Sequence, residues 1–265
     1  MDLANAFDKL QPFLDHAETI VFVAVAVFVR VSAFIFFLPG FGERSIPMQI
    51  KLGAALAFAV ITWPMIATKA TPIDPTLFAI GLAYAAEAVT GLALGFGVRL
   101  MIFALQTAGT LAAQNLSLSQ MFGSGVAPEP EPTIATMLSM AGIALALSLG
   151  LHIQAAGLIV ESYTVIPFAT FPLAADMAEW SLESVVAAFN LAVSLALPFI
   201  VVAFLYNLAL GFINRAMPQL MVAFIGVPAI TGIGLVLLMM TAGTALTIWY
   251  ARFAPMLAAP FGVIG

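Results

Sequence analysis

The chain is predicted to be an all-α polytopic membrane protein of about six or seven hydrophobic helices. Three observations predict this. Apolar residues make up 63% of the 265, where an ordinary soluble domain carries roughly 45–50%. Charged residues make up 8% against about 25%, so 8 basic and 13 acidic side chains cannot solvate the two soluble domains that the length alone would suggest. The apolar residues also fall into runs of about 20, the length that crosses a hydrocarbon core as a helix. No ten-residue alternation of the outer-membrane barrel type is present, and an open sheet edge finds no partner in lipid.

The first run is Ile20 to Leu38, interrupted only by Arg30. It does not read as a cleaved signal, because it is long, ends at Pro39-Gly40 and follows Lys9 set among Asp2, Asp8, Asp15 and Glu18. A polar loop with Glu43, Arg44, Pro47 and Lys51 leads to the second run, Leu52 to Thr68, which contains the helix-breaking Pro64. Lys69 to Pro75 reads as a turn. Thr76 to Val98 is the third run, with Glu87 near its middle, and Leu100 to Phe122 is the fourth. Gly123 to Pro132, with its Pro-Glu-Pro-Glu-Pro string, is an extended loop. Thr133 to Val160 is uncharged and long enough to span with tilt. Glu161 to Glu183 reads as a surface loop holding a short amphipathic helix around Asp176–Glu183. Ser184 to Asn214 and Ala216 to Ala251 form a closing helical hairpin.

Charge placement excludes several functions. The net charge is −5, and no Lys or Arg lies between Arg99 and Arg215, a stretch holding Glu129, Glu131, Glu161, Asp176, Glu179 and Glu183. Nucleic-acid binding needs a basic track, and anionic headgroup binding needs a polybasic segment; neither is present. With no cysteine there is no disulfide, thiolate nucleophile or cysteine metal site. The positive-inside rule does not settle orientation. Placing Arg44 and Lys51 in the cytoplasm puts the acidic 161–183 segment there too, with Arg215 outside, so some runs are expected not to be ordinary lipid-facing spans.

Two charges interrupt apolar runs, where each costs roughly 2.5–3.5 kcal/mol at mid-bilayer. Arg30 and Glu87 therefore belong to a pore, relay or interior ion pair, or else Arg30 caps or snorkels and Glu87 sits neutral in a helix contact. Either way both should face protein or water. Glu87, Gly91 and Gly95 share one helical stripe (i, i+4, i+8), and Gly91-x-x-x-Gly95 allows another backbone to come close. Gln106, Thr110, Gln114 and Ser117 form a second stripe, joined by Asn115, Ser119 and Gln120. It either bonds across helices or lines a wet conduit. Asn207, Gly211 and Asn214 share a third face, suited to tight packing.

Catalytic constellations are poor. The two histidines, His16 and His152, form no zinc motif, and there is no phosphate-cradling loop or nucleophile elbow. Ser124 with His152 lacks any supporting motif. No enzyme activity, cofactor or metal is expected.

Four stretches stand out: Arg30 through Pro39 to Gly42–Gly53 (Gly-Glu-Arg-Ser-Ile-Pro-Met-Gln-Ile-Lys-Leu-Gly), Gly91–Phe96 leading into Gln106–Gly109, the Pro/Glu loop with its following helix, and Asn207–Leu220 with Phe224–Pro228. Together they resemble the FliR family, the membrane export-gate component of flagellar type III secretion. The likeness spans about residues 20 to 250. It implies a hetero-oligomeric ring with FliP and FliQ homologues in the bacterial inner membrane at the flagellar basal body. Contacts with FlhB and FlhA, with membrane lipid and with unfolded export substrates threading the centre are implied too.

The resemblance further implies a FliP-like part at 1–183 and a FliQ-like hairpin with tail at 184–265. A channel plug maps onto Gly109 to Gly125, with Gln106, Thr110, Gln114, Asn115, Ser117, Gln120, Phe122 and Gly123 as channel or plug residues. Arg30, Glu87, Gly91, Gly95, Asn207, Gly211, Asn214, Arg215, Pro218 and Pro228 are the expected subunit-packing residues. The rival reading is a secondary transporter for a small solute that uses Glu87 with Arg30. Against it stands the lack of an internal repeat or of paired broken helices.

Overall fold

The computed structural model describes residues 3–68, 76–117, 133–217, 222–259 and 261–262. Among the described residues there are seven helices and no strand: α1 (Leu3–Phe37), α2 (Met48–Ala67), α3 (Leu77–Ser117), α4 (Thr133–Ser148), α5 (Leu151–Val165), α6 (Ala174–Ala216) and α7 (Val222–Ala258). Five are long and apolar enough to cross a membrane, and the bent pair α4/α5 is a sixth if it counts as one span. The all-α polytopic architecture is as the composition requires.

The central element is α3, which packs against α1, α4, α6 and α7. Its most apolar stretch is 61% buried, whereas that of α7 is 11% buried. The buried positions of α6 are Ser184, Ala188, Leu191, Ala192, Leu195, Ala196, Phe199 and Ala203. This is the i, i+4, i+7 pattern of one helical face, and the small residues let α6 lie close along α3. The main core gathers Phe34 and Ile35 of α1 and Leu38 just past its end, Met101 and Leu105 of α3, Ile159 of α5, and Trp249 and Phe253 of α7.

Four boundaries differ from the sequence reading. The third and fourth runs are one helix, α3, because Arg99 between them needs no break: it pairs with Glu43 of the α1–α2 loop and lies over Phe103 at 5.5 Å. The 133–160 run is not one straight helix but the pair α4 and α5, bent by 75° at Gly150, whose φ is +83°. The supposed loop 161–183 is mostly helical. Its first residues finish α5, and Asp176–Glu183 is the opening of α6 rather than a separate amphipathic helix. The division placed at residue 183 therefore falls inside a continuous helix. Residues 118–132 and 218–221 lie outside the described residues, so Gln120, Phe122, Gly123, Ser124 and Pro218 have no structural account here.

Candidate functional site

The strongest polar feature is a sealed node built on Arg30 of α1 and Glu87 of α3, both with no exposed surface. Arg30 donates from Nε to Glu87 Oε2 at 2.7 Å and from Nη2 to Oε1 at 3.2 Å, the two-pronged fit of a guanidinium to a carboxylate. Its Nη1 donates to Ser162 Oγ at 3.0 Å, and Nη1 and Nη2 both donate to the Ile166 carbonyl at 3.3 Å. A guanidinium has five N–H groups, and five bonds meet them.

Glu87 is equally well supplied. Tyr163 donates its hydroxyl to Oε2 at 2.8 Å, and the Ala169 amide donates to Oε1 at 2.8 Å. The Tyr163 ring lies 3.6 Å from the guanidinium carbon, adding a desolvated cation–π contact. The Ser162 hydroxyl in turn donates a hydrogen bond to the Ile159 carbonyl at 2.6 Å. A buried ion pair holds only when geometry is good and the remaining polar sites are satisfied; here they are. Glu87 is thus bonded to Arg30 and does not stand alone in a helix contact, and Arg30 neither caps nor snorkels.

The small-residue stripe above Glu87 makes a close approach inside the chain. A Cβ on Gly91 would stand 2.2 Å from the Arg30 carbonyl oxygen and 2.9 Å from Ala33 Cβ. On Gly95 it would stand 2.8 Å from the Phe34 carbonyl oxygen. These glycines seat α3 on α1 and bring Glu87 to Arg30. Their expected contact with another subunit is taken up by α1 of the same chain.

The polar stripe of α3 is only partly covered. Gln106 and Thr110 are half-buried, Gln114 is exposed and Asn115 is half-buried. Thr110 and Asn115 bond back to their own helix, to the carbonyls of Gln106 at 2.9 Å and Leu111 at 2.8 Å. Ser117 closes α3. Gly109 is packed against Ala135 of α4. The third stripe is open: Asn207 is half-buried and bonds to the Ala203 carbonyl at 2.8 Å, while Gly211, Asn214 and Arg215 are exposed and a Cβ on Gly211 would meet nothing within 4 Å. Pro228 lies within α7. His152 is exposed. Among the described residues no group of three metal-ligating side chains gathers.

Sequence reasoning missed Ser162, Tyr163, Ile166 and Ala169. The segment read as a loop because of its acids and prolines, and only a Tyr beside a Ser at the end of an uncharged run hinted at them. It also missed Trp249.

A buried, saturated ion pair beneath long, unevenly covered apolar helices defines an integral membrane protein whose mid-helix charges serve its own packing. The chain belongs to the family of bacterial export proteins, family 1, whose model matches residues 21–256. It is 35% identical over 238 residues to the flagellar biosynthetic protein FliR of Caulobacter vibrioides, covering 89% of this chain and 95% of that protein. It is 30% identical to FliR of Escherichia coli, over 79% of this chain and 80% of that one. With FliR of Aquifex aeolicus it shares 30% identity over 85% and 87%.

Proposed function

We propose that this chain is a structural component of the flagellar protein export apparatus in the bacterial inner membrane. In this reading it joins FliP and FliQ homologues in a closed helical ring, meets FlhB and FlhA homologues, and helps enclose a passage for unfolded flagellar substrates. The observation that carries it is the FliR likeness over nearly the whole chain.

The geometry supports assembly with other proteins. Exposed apolar residues run along α6 from Leu182 to Phe212, the two ends both 66% exposed, a distance of about 45 Å at 1.5 Å per residue. The hydrocarbon core is about 30 Å thick, or about 39 Å along a helix tilted by 40°, the steep end of the observed range. Lipid alone cannot cover that face. The open Asn207/Gly211/Asn214 stripe lies at its far end and offers small and amide groups to a neighbouring helix. A passage for arbitrary unfolded sequence calls for weak, uncharged contacts, which suits the amide- and hydroxyl-bearing end of α3 as plug or lining.

The solute-transporter alternative would need Arg30 and Glu87 to meet a ligand, yet each is fully engaged by protein groups. A role without hydrolytic chemistry fits the same facts. The test is co-purification of a tagged chain from native membranes together with hook and rod protein secretion in a deletion strain. FliP and FliQ homologues in the eluate and loss of secretion are expected. A chain that purifies alone, in a deletion strain that still secretes, overturns the proposal.

A further inference from the structure

Residues 133–160 carry no charge over 28 positions, enough for a straight helix of about 42 Å. Such a helix satisfies its backbone internally wherever it lies in lipid. The bent pair gives up part of that ladder. Leu149 keeps the helical bond to the Leu145 carbonyl at 3.0 Å, four residues back, but Gly150 closes a tighter turn onto the Leu147 carbonyl at 3.1 Å, three residues back. Glycine takes positive and negative φ about equally well, so Gly150 permits the bend and equally permits a straight helix. A Cβ there would meet only Ile153 Cδ1 at 3.9 Å, so no close approach demands the turn.

Apolar packing does not demand it either. α5 lies on α2, α4 and α7 through Leu151, Ala155, Leu158 and Ile159, but acyl chains replace such contacts at little cost in a membrane. What lipid cannot replace is the polar node. Straightening at Gly150 through 75° swings Tyr163 by about 24 Å, from 13 residues at 1.5 Å each. Arg30 would lose Ser162 and Ile166, and Glu87 would lose Tyr163 and Ala169, leaving buried charge short of partners. We propose that the Arg30–Glu87 pair, completed by Tyr163, is a lock that holds residues 134–165 as a bent pair. Without it, the same residues form one straight membrane-spanning helix.

The chain has no cysteine, so paired labels are clean. Met137 is 58% exposed and Glu161 is also exposed. Spin labels on Met137→Cys and Glu161→Cys, in the full chain extracted in native-membrane discs with its companion subunits, read the bend by pulsed dipolar spectroscopy. A 75° bend gives a backbone separation of about 29 Å and a straight helix about 36 Å.

The double variant Arg30→Met/Glu87→Met, which removes both charges at once, is expected to move the distance from the short value to the long one. Glu87→Gln is expected to populate both. Retention of the short distance in both variants overturns the lock. Should neither variant accumulate, Gly150→Ala with the node intact decides: the short distance upholds the lock, and the long one shows that the local turn sets the bend.

Discussion

The indole Nε1 of Trp249 donates to the main-chain carbonyl of Met101 at 2.8 Å, joining α7 to α3 with both residues sealed from solvent. Trp249 also stacks on Phe253 at 4.8 Å between centroids. This anchor holds the last turns of a helix that is otherwise mostly uncovered. Trp249→Phe should remove the bond while keeping most of the volume, at a cost of about 0.5–1.5 kcal/mol. Trp249→Ala should cost about 3–5 kcal/mol. Thermal retention of a fluorescent fusion on size exclusion checks the order: wild type, then Phe, then Ala. Equal losses for Phe and Ala would show that packing contributes nothing beyond the bond.

Breaking one side of the node should be worse than removing it. Arg30→Ala or Glu87→Ala leaves a buried charge without its partner, at about 3–5 kcal/mol. Arg30→Met/Glu87→Met replaces both with apolar volume and should be milder than either. Steady-state chain level in membranes measures this directly. A double variant less abundant than both single ones contradicts the account.

Two glycines on different helices should fail in different ways. Gly91→Leu meets the Arg30 carbonyl within its own chain, so the protein should be degraded even when it is expressed without FliP and FliQ homologues. Gly211→Leu enters open space and should leave the chain level unchanged while weakening co-purification with those partners. Pulse-chase and pull-down, run side by side, separate the two; a Gly91→Leu chain that is stable alone refutes the first half.

The Arg99–Glu43 pair is a contrast to the node. Its side chains are 22% and 28% exposed, and solvent-touched pairs are worth about 0–1 kcal/mol. Arg99→Gln should therefore lower thermal retention far less than Arg30→Ala. A comparable loss would show that the α1–α2 loop is a structural keystone.

A plug at residues 109–125 predicts that deleting residues 115–124 makes membranes leaky to ions during export. Conductance at background in the deletion strain would remove the plug assignment.

The membrane class, the helical architecture and five of the helix cores were legible from composition and run length, because lipid admits little besides long apolar helices. The value of Arg30, Glu87, Gly91 and Gly95 was legible as well, since charge and close approach are costly in that setting. Their partner was not. A helical stripe states that something packs there, and α1 of the same chain proved to be what packs on Gly91 and Gly95.

The bend at Gly150, the fusion of two runs into α3 and the helical start of α6 were hidden for a common reason. Local propensity allows each conformation and its alternative, and the choice falls to groups far away in the chain. Arg99 does not break α3 because Glu43, 56 residues distant, meets it. Residues 162–165 join α5, and Ile166 and Ala169 of the short connection that follows are held against the node, because Arg30 and Glu87 engage their hydroxyls, carbonyl and amide. Sequence alone determined that this is a bundle of greasy helices with two charges in want of company. The tertiary structure decided which groups supply that company, since hydrogen bonds to a buried charge depend on positions in space that periodicity along one helix does not encode.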